Sequence, residues 1–145
     1  MLLFWLFIAF VARYALENGD TTVTPVAGGR IEADSNLIPD VVGRYNFTGS
    51  YGNISLAAIG RQLRYETAGI DEDTFGWGLS ASGQLKAGAK DDIRFNLVAG
   101  EGLGRYVGLN AANAVAINPM DGSVEAIPSF GGLVAWRHPF GETAR

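Results

Sequence analysis

Residues 74–102 read TFGWGLSASGQLKAGAKDDIRFNLVAGEG. Every second residue from Phe75 is apolar or glycine: Phe75, Trp77, Leu79, Ala81, Gly83, Leu85. Between them lie Gly76, Gly78, Ser80, Ser82, Gln84 and Lys86. After residues 87–92 the alternation resumes, with Ile93, Phe95, Leu97 and Ala99 set against Arg94, Asn96, Val98 and Gly100. A period of two residues marks a β-strand with one apolar and one polar face. Each run is about ten residues or longer, against a usual strand of roughly five or six. An apolar face of that length must touch something apolar all along it.

Strand-like runs separated by turn clusters fill the rest of the chain. Outward from the quoted stretch, they predict strands over 3–17, 41–48, 53–66, 74–87, 92–107 and 129–138. Residues 53–66 break the pattern, because Ile54 and Leu56 share one parity while Ile59, Leu63 and Tyr65 share the other. A bulge near residues 57–59 reconciles them. The unbulged reading, which we prefer, puts Arg61 on the side of Asn53 and Ser55. The connections at 49–52 and 88–91 are short, the acidic segment 68–73 is intermediate, and 18–40 and 108–128 are long. In an up-and-down meander this sorts the short turns to one end and the longer loops to the other. Transmembrane β-barrels show that asymmetry.

Composition agrees with strands and loops. Of 145 residues 20 are glycine, about twice the average share of roughly 7%, and glycine weakens helices. Hydrophobic residues make up 48% and charged residues 18%, which excludes a disordered chain. With no cysteine there is neither a disulfide framework nor thiol chemistry. A single histidine, His138, offers no metal-ligand cluster and no nucleophile–base pair, so no enzyme activity, metal or cofactor is expected. The net charge of −4 argues against nucleic acid as a partner.

The first twelve residues, MLLFWLFIAFVA, are uninterruptedly apolar, and residues 1–14 form an atypical start to the domain. The run is short of the roughly 20 residues a membrane helix needs. A signal peptide calls for a basic start and a small-x-small cleavage site, both missing here. A lipid-facing strand, or a strand whose true beginning is missing, is the favoured reading, with a degenerate signal next.

The placement of charge points further. All 15 carboxylates are expected in loops, turns or strand ends. Arg44, Lys86, Arg94 and Arg137 fall on the polar face of strands, and Arg61 joins them in the unbulged reading. That face is otherwise small, with Gly76, Gly78, Ser80, Ser82, Asn96, Gly100 and Gly131. A solvated sheet face with arginines paired to loop acids is the plain reading. Long strands, sorted connections and aromatics near strand ends (Tyr65, Phe75, Trp77, Trp136) favour a barrel wall with lipid on one side and water on the other. The glycine-rich GEGLGRYVG at 100–108 lacks phosphate-loop spacing and is read as a strand end or bend. The sequons at Asn46 and Asn53 fall inside strands and are set aside.

Four segments together resemble the DcaP-like porins of Gram-negative outer membranes: ALENGDTTVTPVAGGRIEADSNLIPDVVGRY (15–45), RQLRYETAGIDEDT (61–74), DDIRFNLVAGEGLGRYVGLN (91–110) and AWRHPF (135–140). The resemblance runs from about Ala15 to Arg145. It implies a homotrimer of sixteen-stranded barrels in the cell outer membrane, passing small anions such as dicarboxylates and dependent on lumenal arginines. Arg44, Arg94 and Arg137 have the facing for that role, with Arg61 and Lys86 beside them. The chain is thus expected to be a single partial barrel domain over 1–145, all-β and antiparallel, with about six strands and its apolar face on lipid. Two alternatives stand beside it. One is a complete eight-stranded outer-membrane barrel with a structural or adhesive role, which needs two further wall strands inside the long loops. The other is a soluble secreted β-sandwich binding module.

Overall fold

The computed structural model describes residues 11–33, 36–67, 70–107 and 111–140. The expected strand start at 3–10 and the favoured reading of the apolar run lie outside the described residues, apart from the stretch that begins at Val11.

Six strands form an antiparallel sheet in the order β1 (Val11–Glu17), β4 (Asp40–Gly49), β5 (Gly52–Thr67), β6 (Ile70–Ala87), β7 (Asp91–Glu101) and β10 (Pro128–Arg137). Each pairs with the next such strand in the chain, so the sheet is a meander. It is open: β1 and β10 each pair on one side only, and the described residues form no closed barrel. The two long connections contribute four short strands, β2 (Thr21–Thr24), β3 (Ile31–Ala33), β8 (Val115–Ile117) and β9 (Val124–Ala126). These build a separate sheet in the order β3-β2-β8-β9, in which β2 and β8 run parallel. They add no strand to the six-stranded wall, and the eight-stranded alternative needed two. No helix among the described residues is long and apolar enough to cross a membrane.

The pairing of β5 with β6 is unbroken from Gly52↔Leu85 to Thr67↔Ile70. There is no bulge, so Ile59, Arg61, Leu63 and Tyr65 all point to the same side as Asn53 and Ser55. The parity that looks irregular has a physical cause: the small sheet lies over the loop end of this face. Leu63 and Tyr65 pack there with Val23, Ala114, Val115 and Val124 into a buried hydrophobic core. Burial of each aliphatic side chain is worth about 1.5–3 kcal/mol. Two expectations need correction. The segment 68–73 is no intermediate loop, since β6 starts at Ile70 and Asp71–Asp73 pair with β5. The fifth strand stops at Glu101 rather than 107, because the chain turns inward there into a short 3-10 turn, Gly104–Tyr106.

The wall is inside out by the standard of a soluble sheet. Its apolar face is exposed along its length, at Tyr14, Leu16, Leu56, Phe75, Leu79, Phe130, Val134 and Trp136 among others. Its polar face carries the second sheet and the core.

Candidate functional site

Strand alternation and register gather the cations on the polar face. Arg44 on β4 lies directly opposite Arg13 on β1. Arg44 Nε donates to Ser55 Oγ at 2.6 Å. Among the described residues neither arginine has a carboxylate partner. Like charges placed opposite one another destabilise a strand pair, so this arrangement favours any anion that comes between them. Towards the short turns, Lys86 lies opposite Asp92. Arg94 Nε donates to Asp92 Oδ1 at 2.8 Å, and Arg137 Nη2 stands 2.6 Å from Asp92 Oδ2. One nearly buried carboxylate thus serves two arginines whose side chains stay half exposed. Arg44, Lys86, Arg94 and Arg137 all face the open part of the polar side.

Arg61 shares their face but not their surroundings. Its side chain is fully buried, as is that of its partner Asp40. Arg61 Nε donates to Asp40 Oδ1 at 3.3 Å, and Nη1 to the carbonyls of Gly102 and Leu103 at 3.1 Å each. Nη2 donates to the carbonyl of Asp20 at 2.7 Å and lies 3.3 Å from Asp40 Oδ2. The guanidinium therefore lies under the inward-folded loops and makes no open lining. Local sequence permits this. A Cβ on Gly76, the cross-strand neighbour of Arg61, would sit 3.0 Å from Arg61 Cγ and 2.9 Å from Leu63 Cδ1. Gly102 takes a φ of +69°, the left-handed conformation that turns β7 inward. The glycine-rich stretch is the bend its composition suggested.

Around Asp40 is a network that sequence reading did not single out. Arg105 Nη1 donates to Asp20 Oδ2 at 3.0 Å, and its Nη2 donates to the carbonyl of Asn18 and lies 3.5 Å from Asp40 Oδ2. The Tyr106 hydroxyl is 2.9 Å from both Glu17 Oε2 and Asp40 Oδ2. Its one proton can serve only one of these carboxylates at a time. Burial, reinforced by the adjacent acids, pushes the Tyr106 phenol up to about 12. No spacing rule links residues 17, 20, 40, 61 and 105. Only the bend at Gly102 hinted that this segment comes back to the wall. Arg13 was readable in principle, since its parity matches that of Ala15 and Glu17 within β1.

At the short-turn end, the lone histidine sits just beyond β10. Asp91 accepts from Trp136 Nε1 at 3.1 Å and lies 2.7 Å from His138 Nδ1. The His138 ring meets Phe140 edge-on. Among the described residues no group of His, Asp and Glu could hold a metal ion. Open, mostly apolar hollows lie along the wall among the described residues. One of about 250 Å³ lies between Val42, Ile59 and Val98 of the polar face and Leu103 and Tyr106 of the returning segment. The chain matches no family model, no curated protein and no solved structure.

Proposed function

We propose that this chain is a section of the wall of an outer-membrane β-barrel of the porin type, through which small anionic solutes such as dicarboxylates diffuse passively. One observation carries the reading: the apolar face of a long antiparallel sheet is bare, while the second sheet and the core sit on its polar face. A soluble β-sandwich buries the apolar faces of its two sheets against each other. A barrel wall in lipid has the opposite sidedness, apolar outward and polar inward. The open edges of β1 and β10 fit a wall that continues into further strands, because an unpaired edge cannot stand in hydrocarbon. Aromatics near the strand ends suit the membrane interfaces. The basic polar face favours anions, as rings of Arg or Lys do in anion-selective pores. The homotrimer and the sixteen-strand count belong to the same reading through the family resemblance.

Reversal potentials of the full-length protein across a salt gradient in planar bilayers test it. The expected result is an anion-preferring channel whose anion-to-cation ratio falls when Arg44 and Arg94 are changed to Gln. A cation-preferring channel, or a ratio that ignores both changes, overturns the anion reading. Recovery of the protein in the aqueous phase without detergent returns the sandwich alternative.

A further inference from the structure

We infer that Arg61 is a positioning residue, the latch that fixes the described parts of segments 18–39 and 102–127 against the wall as one rigid insert and so sets how far they narrow the space beside it. This inference rests on the porin reading for its consequence, though not for its geometry.

The two segments are first tied to each other. β2 and β8 pair in parallel, and the Ala114 amide donates to the Thr22 carbonyl at 2.8 Å and to its Oγ1 at 2.9 Å. Asn113 Nδ2 reaches Thr24 Oγ1 at 2.7 Å. They therefore move as one body.

That body is then tied to the wall at a buried point. From β5, Arg61 holds the carbonyl of Asp20 in the first segment and those of Gly102 and Leu103 in the second. Asp40, at the start of β4, fixes the plane of the guanidinium. Only a planar fork of donors can serve three carbonyls and a carboxylate together; an ammonium offers a point charge and three donors. Without the fork, the buried Gly102 carbonyl loses its partner and the part-buried Asp20 carbonyl loses its tie to the wall, while the Leu103 carbonyl keeps the Tyr106 amide. The Gly102 carbonyl regains a hydrogen bond only if the body lifts and water enters. Below the insert the face stays open at Arg44, so the height at which the insert is held decides the free cross-section beside that arginine.

The test uses the full-length protein in lipid, with Arg61→Met and Arg61→Lys. Two readouts are taken: single-channel conductance, and tryptic cleavage after Arg30 and Arg105, one site in each segment. Arg61→Met should raise conductance with added open-channel noise. It should also speed cleavage at both sites by roughly tenfold or more, the rate following the population of the lifted state. Arg61→Lys should fall between, because it restores the charge but not the fork. Should Arg61→Met fail to fold, Arg61→Lys decides alone. Wild-type cleavage rates and conductance in a folded variant overturn the latch. If the unmodified protein conducts nothing, yet its two sites become cleavable only in the variants, the porin reading fails and the latch stands. If one site opens and the other stays protected, the single rigid body is refuted.

Discussion

The two halves of the polar face obey the same alternation and end in opposite environments. At the loop end, Arg61 is 2% exposed and enclosed by carbonyls and Asp40. At the turn end, the Arg94 and Arg137 side chains are about half exposed, with side-chain exposures of 50% and 56%. The facing of a side chain follows from strand parity alone. Its role depends on whether another part of the chain folds over it. An arginine under a loop is a structural anchor with obligatory partners. An arginine beside open space keeps its charge available to a solute.

The sharpest way to break this comparison is to remove the two kinds of arginine separately. Arg61→Met should cost about 3 kcal/mol, since it strips a buried carboxylate of its main partner. Arg105 and Tyr106 remain beside Asp40, which keeps the cost at the low end. Denaturant unfolding of the full-length protein in lipid measures it. A cost like that of a surface pair, below about 1 kcal/mol, would mean that Arg61 is no anchor.

Next in size is the contrast between the two faces. Leu79→Arg should cost about 2–4 kcal/mol near the bilayer midplane. Ser80→Arg, one residue along on the polar side, should cost much less. Equal costs would refute the assignment of lipid to the apolar face. A smaller effect is expected for Arg94→Gln. Its half-exposed pair with Asp92 is worth at most about 1 kcal/mol, so stability should barely change while anion preference falls. A large loss of stability with unchanged selectivity would move Arg94 into the class of Arg61.

The smallest effect concerns Tyr106, whose phenol is pushed up to about 12 against about 10 for an exposed phenol. The folded state holds that proton more tightly than the unfolded one. The associated stability is complete below about pH 10 and is lost as pH rises towards about 12. Near-ultraviolet titration of the folded protein should show a late-titrating tyrosine signal that is missing in Tyr106→Phe. A variant with an unchanged titration curve would put Tyr106 outside the network around Asp40.

Much of the wall was legible because alternation is a local property. The facing of Phe75–Leu85, of Ile93–Ala99 and of Phe130–Trp136 followed from parity, and the register keeps it. The shared polarity of Arg44, Lys86, Arg94 and Arg137 came from the same rule. The segment 68–73 was misread because acidic residues resemble a loop. On an exposed hairpin, carboxylates remain solvated while their backbone pairs, so Asp71–Asp73 extend β6. Residues 92–107 were read as one strand because glycines can continue a strand or end it. Gly102 ends it through a positive φ that composition cannot reveal.

By itself, the sequence determined a β-meander of six long strands, one side apolar and the other side small and basic. Both follow from the two-residue period of a pleated chain, which needs no knowledge of distant contacts. Only the tertiary structure decided what covers each part of the polar side. Residues 20, 40, 61 and 102 meet through long-range folding of two loops. Burial then made one arginine an anchor bound to three segments and left Arg44, on the neighbouring strand, facing open space.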